Sequence, residues 1–141
     1  MGLYIKLYIK EPPKNVKVAP VIEEKSVRVS NFDNFVIGRS SKCDLTLDGE
    51  YFSSRHCSLH FDGQYLVIKD LTSKNGTYVN GNSVFQSFLK LGDIVQLGYC
   101  HFHIDEQLTS AEYKNVLKNQ HGKDRKEISV VIKSKKISDN K

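Results

Sequence analysis

Apolar and polar residues alternate with a period of two along most of the first hundred positions. This spacing places side chains on opposite faces of a β-strand. Leu3, Ile5, Leu7 and Ile9 fall on one face, with Tyr4, Lys6, Tyr8 and Lys10 on the other. Similar short runs predict strands at Val27–Ser30, Phe35–Gly38, Asp44–Leu47, Cys57–Phe61, Tyr65–Lys69, Thr77–Val79, Ile94–Leu97 and Cys100–Ile104. Turn signals separate them: Asp48-Gly49, Asp62-Gly63, Asn75-Gly76, Asn80-Gly81 and Leu91-Gly92-Asp93. Glu11 to Lys25 carries Pro12, Pro13 and Pro20 and reads as a long exposed connection. Many short strands at close spacing predict an all-β sandwich or barrel.

After residue 105 the period changes. Thr109 and Glu112 form a Thr-x-x-Glu capping box, and Leu108 and Tyr113 occupy hydrophobic-staple positions. Val116 and Leu117 continue the apolar stripe, and Gly122 supplies a stop. The predicted organisation is a β domain over 1–105, a short C-terminal helix within 106–122, and a basic tail over 123–141. Ile128, Val130 and Ile132 alternate in the tail, which reads either as one further strand or as a disordered segment.

Length and composition refine this picture. The 141 residues suffice for one core, and 39% hydrophobic with 26% charged residues describe a globular chain. No apolar run reaches the ~20 residues needed to cross a bilayer. The first residues lack the apolar core of a signal peptide, and Lys6 breaks a myristoylation motif after Gly2. A cytoplasmic or nuclear location is expected. Cys43, Cys57 and Cys100 form an odd, sparse set, expected to be reduced and packed. The net charge of +5 is unevenly placed: residues 1–105 hold 12 Lys/Arg against 11 Asp/Glu, and residues 106–141 hold 9 against 5. An electrostatic attraction to nucleic acid, an acidic partner or lipid would therefore reside in the tail.

Three fragments concentrate phosphate chemistry: Phe35 to Leu47, Phe52 to Cys57, and Asp70 to Gly81. Arg39 follows Gly38 at a strand end, where its planar fork can meet phosphate oxygens bidentately. Ser53 and Ser54 add hydroxyl and amide donors, and Lys74 and Asn75 add a point charge and a planar amide in a tight turn. Loops at one end of a sandwich can converge, so these donors can share a dianionic phosphate.

In these fragments the chain resembles the forkhead-associated (FHA) family. The resemblance rests on Gly38-Arg39, the Cys43-Asp-Leu-x-Leu47 strand, Ser53-x-x-His56, Asn75-Gly-Thr-x-Val-Asn-Gly81 and Leu89-x-x-Gly-Asp-x-Val-x-Leu-Gly98, in family order and at family spacing. It covers about Leu3 to Asp105. It implies a β-sandwich of about eleven strands whose apical loops bind phosphothreonine peptides. Arg39 and Ser53 are the implied phosphate ligands, and Asn75 the residue that holds the peptide backbone. Gly38, His56 and Gly76 are implied to support the loops. Ser54 stands where Arg or Asn is frequent, and Lys74 where Ser or Thr is common. Side-chain selectivity three residues after the phosphothreonine would fall to Tyr51 and Tyr99, flat surfaces suited to an apolar residue.

Other chemistries are poorly matched. His56, Cys57 and His60 lie close in sequence, as do Cys100, His101 and His103, yet none shows zinc-finger spacing. Cys57 and His56 are adjacent on a strand and face opposite ways, which does not suit a catalytic pair. There is no phosphate-cradling Gly-x-x-x-x-Gly-Lys and no nucleophile elbow. The expected function is phosphothreonine-dependent protein binding without catalysis, cofactor or metal. The alternatives are a phosphate-independent FHA scaffold and a nucleic-acid-associated protein acting through its tail.

Overall fold

Strand β1 (Tyr4–Lys10) shows how the pattern becomes structure. Leu3, Ile5 and Leu7 are fully buried, while Tyr4, Lys6 and Tyr8 line the outer face, as the alternation requires. The computed structural model describes residues 2–10 and 22–118. Within them β1 is followed by β2 (Ile22–Arg28), β3 (Phe35–Gly38), β4 (Leu45–Thr46), β5 (Cys57–Phe61) and β6 (Leu66–Asp70). Then come β7 (Thr77–Val79), β8 (Asn82–Val84), β9 (Gln86–Leu89), β10 (Val95–Leu97), β11 (Cys100–Ile104) and the helix α1 (Ala111–Lys118).

The strands form two sheets, one ordered β2-β1-β11-β10-β7-β8 and the other β4-β3-β5-β6-β9. The fold is the expected β-sandwich, with eleven strands and a short C-terminal helix among the described residues. Leu7, Val95, Leu97, Phe102 and Ile104 of the first sheet meet Phe35, Ile37, Leu59, Leu66 and Ile68 of the second in one core. Each such side chain contributes roughly 1.5–3 kcal/mol when removed from water. All three thiols are free; Cys57 and Cys100 lie in this core, and burial pushes the Cys100 thiol up to about 12.

The structure departs from the sequence pattern at three places. Strand β2 begins at Ile22, inside the stretch read as a connection, and ends at Arg28 rather than Ser30. It is an edge strand exposed on most of its length, so Glu23, Glu24 and Lys25 hide the apolar alternation that marks a buried strand. Strands β8 and β9 had no individual forecast. Ser87 is buried in β9 and satisfies its hydroxyl on the Phe88 carbonyl, which breaks the pattern there.

The third departure concerns Thr109. Its hydroxyl does not close a capping box; it accepts from the Tyr4 N–H (3.1 Å) and donates to the Tyr4 carbonyl (3.3 Å). Ser110 begins the helix, its carbonyl accepting from Lys114 N–H, and Leu108 is exposed rather than stapled. Tyr113 packs edge-on against Phe32 and Phe61 and Leu117 is fully buried, so α1 covers the end of the sandwich where β3 starts and β5 finishes. The tail, its proposed strand at Ile128, Val130 and Ile132, and Gly122 lie outside the described residues.

Asp105 fastens this end. Its carboxylate accepts from the Ser26 hydroxyl and from the Gln107 and Leu108 N–H groups. Burial alone would raise its pKa, but these bonds and the nearby Lys6 outweigh that and hold it below the ordinary carboxylate range.

Candidate functional site

The opposite end of the sandwich, where β3 finishes and β5 starts, gathers the residues singled out in the sequence. The segment 51–55 runs through its middle. On one side the Arg39 N–H donates to the Ser53 carbonyl (2.9 Å) and the Ser40 N–H to the Ser54 carbonyl (3.1 Å). On the other, the Lys74 N–H donates to the Ser53 hydroxyl (2.9 Å) and Asn75 Nδ2 to the Tyr51 carbonyl (2.9 Å). The β3–β4, β4–β5 and β6–β7 loops are thereby joined around Ser53. Because its oxygen already accepts from Lys74, the Ser53 hydroxyl keeps its own hydrogen for an incoming acceptor.

Arg39, Ser54, Lys74 and Asn75 are exposed and Ser53 is half-buried. Neither of the ion pairs among the described residues, Lys6–Glu24 and Lys90–Asp93, involves Arg39 or Lys74. Ser53 is thus bonded to the backbone of two residues, Arg39 and Lys74, whose cationic side chains are exposed.

Of the loop supports, His56 and Gly38 are buried and Gly76 is half-buried. His56 accepts from the Ser53 N–H at Nδ1 (3.2 Å), and its Nε2 lies 2.8 Å from the Gly76 carbonyl. That pairing fixes the tautomer with hydrogen on Nε2. Gly38 is required by space: a Cβ there would stand 2.4 Å from the Ser54 carbonyl oxygen and 2.9 Å from Arg55 Cα. Gly76 is required by conformation, with φ +89°.

Asp70 is a support that the sequence reading quoted without assigning it a role. Its carboxylate accepts from the Ser73 N–H and hydroxyl and from the Thr77 hydroxyl, and the Ser73 oxygen in turn accepts from the Gly76 N–H. The β6–β7 loop is therefore wound on a single carboxylate. It holds Thr72 at φ +62°, a conformation β-branched residues rarely adopt. The Asp70-x-x-Ser73 spacing was the available signal, since Asp often bonds its own backbone a few residues on.

Tyr51 and Tyr99 flank the other side. Their rings meet edge-to-face at 5.3 Å, Tyr99 also packs on Phe52, and its hydroxyl donates to the Asp48 carbonyl (3.2 Å). Tyr51 remains 54% exposed. Among the described residues no group of three or more His, Cys, Asp or Glu is placed to hold a metal ion.

Comparison with known proteins identifies this architecture. Residues 35–98 match the model of the FHA domain. The chain carries an FHA domain. Its FHA region is 38% identical over 64 residues to the FHA domain-containing protein FhaA of Mycobacterium tuberculosis, covering 45% of this chain and 12% of FhaA. It is 39% identical over 61 residues to the glycogen accumulation regulator GarA of Mycolicibacterium smegmatis, covering 43% of this chain and 39% of GarA. The matches therefore span well under half of either relative. A solved FHA domain, studied for phosphothreonine-dependent interactions, superposes with a TM-score of 0.56 at 25% identity. That overlap covers 72% of this chain and 94% of the solved domain. Among the described residues no helix is long and apolar enough to cross a membrane.

Proposed function

We propose that this FHA domain is a phosphothreonine-dependent protein-recruitment module that binds without catalysing a reaction. The observation that carries the proposal is the convergence on Ser53. Its hydroxyl is oriented by the Lys74 amide, its carbonyl is held by the Arg39 amide, and the Arg39 side chain is exposed. Arg39 and Ser53 take the phosphate, Ser54 and Lys74 add hydroxyl and charge, and Asn75 holds the extended peptide. One Asn75 N–H is used on Tyr51, which leaves its other N–H and its carbonyl for the peptide backbone. Gly38, His56 and Gly76 keep the loops in place. A phosphothreonine brings about −1.5 to −2 charges and several acceptor oxygens, which suits this donor set better than a carboxylate does.

The work is recognition in signalling: a kinase writes the phosphate and the domain reads it. The solved relative's phosphothreonine-dependent interactions support this assignment. A phosphothreonine peptide-library screen, with unphosphorylated and phosphoserine controls, tests it. Enrichment of phosphothreonine peptides over both controls is expected; equal retention of all three would refute it and favour a phosphate-independent scaffold.

A further inference from the structure

The rim of the candidate pocket is electrically lopsided, in a way the phosphate-binding residues do not require. Along segment 51–55 the order of neighbours is fixed by hydrogen bonds: Tyr51 to Asn75, Ser53 to Arg39 and Lys74, then Ser54 to Ser40 and to the thiol of Cys43. Beyond Ser54 the exposed charges are Lys42 and Arg55, with Asp44 in the same loop, a net excess of one positive charge. Arg55 is close enough to the Cys43 thiol to favour its ionised form, although burial raises that thiol overall. Beyond Tyr51, at the other end, the exposed charges are Asp48 and Glu50.

Neither pair is neutralised locally. No ion pair among the described residues involves Lys42, Arg55, Asp48 or Glu50. Asp44 shares the loop with Lys42, but its carboxylate accepts from the Val36 N–H near the start of β3. Lys10 approaches the acidic end through its backbone bond to the Tyr99 carbonyl, yet it continues the outer row of Lys6 and Tyr8.

We infer that the preferred ligand is a charge-polarised phosphothreonine peptide. It is acidic on the flank that passes over Ser54 toward Lys42 and Arg55, and free of acid on the flank that passes Tyr51 toward Asp48 and Glu50. The inference rests on the phosphate-pocket reading and adds a ligand class to it. An extended peptide threaded through the pocket necessarily sends its two flanks in opposite directions, so each flank meets charge of one sign. The charges are exposed, so each contact is worth a few-fold in affinity and is screened by salt.

The test uses fluorescence anisotropy on the full chain with phosphothreonine nonapeptides of otherwise neutral sequence. One carries no acid, one carries two Glu before the phosphothreonine, and one carries two Glu after it. The expected result is tightening, about two- to fivefold per Glu at low salt, for the peptide with Glu before the phosphothreonine, and none or a weakening for the one with Glu after it, on the flank that passes Tyr51. Lys42→Gln with Arg55→Gln should erase the gain while the neutral peptide binds as before. Glu50→Gln should relieve the penalty on the opposite flank. Equal gains from both placements, no gain from either, or a gain that survives the double variant would overturn the inference while the neutral phosphopeptide still binds. Failure of every phosphothreonine peptide to bind would instead bring down the pocket reading and this inference together.

Discussion

His56 Nε2 and the Gly76 carbonyl lie 2.8 Å apart, and this bond connects the segment carrying Ser53 to the loop carrying Lys74 and Asn75. With Nδ1 accepting from the Ser53 N–H, one buried ring sets the spacing of two loops. His56→Ala should therefore lower stability by ~2–4 kcal/mol, from a cavity and two stranded polar groups. Ser53→Ala removes only a half-buried hydroxyl and should weaken phosphopeptide binding with little thermal change. Thermal melts and calorimetry on the two variants check the division; exchanged phenotypes would show that the roles are reversed.

Arg39→Ala should abolish measurable phosphopeptide binding and leave the melting temperature nearly unchanged. The side chain is exposed and makes no ion pair among the described residues, so the fold does not depend on its charge. Losing one partner of a charge-assisted pair costs ~2–5 kcal/mol of affinity. Arg39→Lys should recover part of this, since it keeps charge without the planar fork. Isothermal titration with one phosphopeptide reads both variants.

Asp70 offers a third test, because it touches no residue assigned to the ligand and acts through Ser73 and Gly76. Asp70→Asn leaves one acceptor oxygen where the Ser73 N–H and the Ser73 and Thr77 hydroxyls use two. It should cost ~1–3 kcal/mol in stability and should also raise the phosphopeptide dissociation rate. A purely structural role would lower the melting point and leave that rate unchanged in the folded fraction.

Asp105 predicts an acid limb in the stability curve. Its folded pKa is depressed, so its contribution is complete above the ordinary carboxylate range near ~4 and is lost as pH falls through the lower folded value. Asp62, depressed by N–H bonds from Tyr65 and Gln64, acts in the same direction. Melting temperature should hold from neutral pH to about 4 and fall below that. In Asp105→Asn the starting value should be lower and the acid slope shallower.

Selectivity three residues after the phosphothreonine is expected to favour an apolar side chain over Asp. Tyr51 and Tyr99 offer ring surface there, with Glu50 nearby in sequence, and a shallow apolar contact yields ~1 kcal/mol. Tyr51→Ala should flatten the preference in a peptide array; enrichment of Asp would contradict it and implicate Lys42 or Lys74.

The legible elements were those whose two faces meet different surroundings. Strands β1 and β11 alternate because one face is core and the other largely water, and the sequence pattern marks them almost to the residue. Strand β2 has no such contrast, and β9 buries a serine, so periodicity fails for both. The capping pattern at Thr109 is local, whereas the partner its hydroxyl takes is the backbone of Tyr4, 105 residues away. The site residues could be named because Gly-Arg, Ser-x-x-His and Asn-Gly are local signatures. The bond from Lys74 to Ser53 and the polarity of the rim join distant segments, and only the folded chain brings them together.

Strand β1 lies between β2 and β11, and Ile5 is paired with Ile104. During synthesis the early pair of β1 and β2 can form soon after it emerges, but its open edge waits for β11, made almost a domain later, and its apolar face waits for the second sheet. Closure of the larger sheet is therefore a late, non-local event, slow compared with hairpin formation. Until then Leu3, Ile5 and Leu7 are a sticky surface on the nascent chain, the kind that chaperones cover and that misassembles at high concentration.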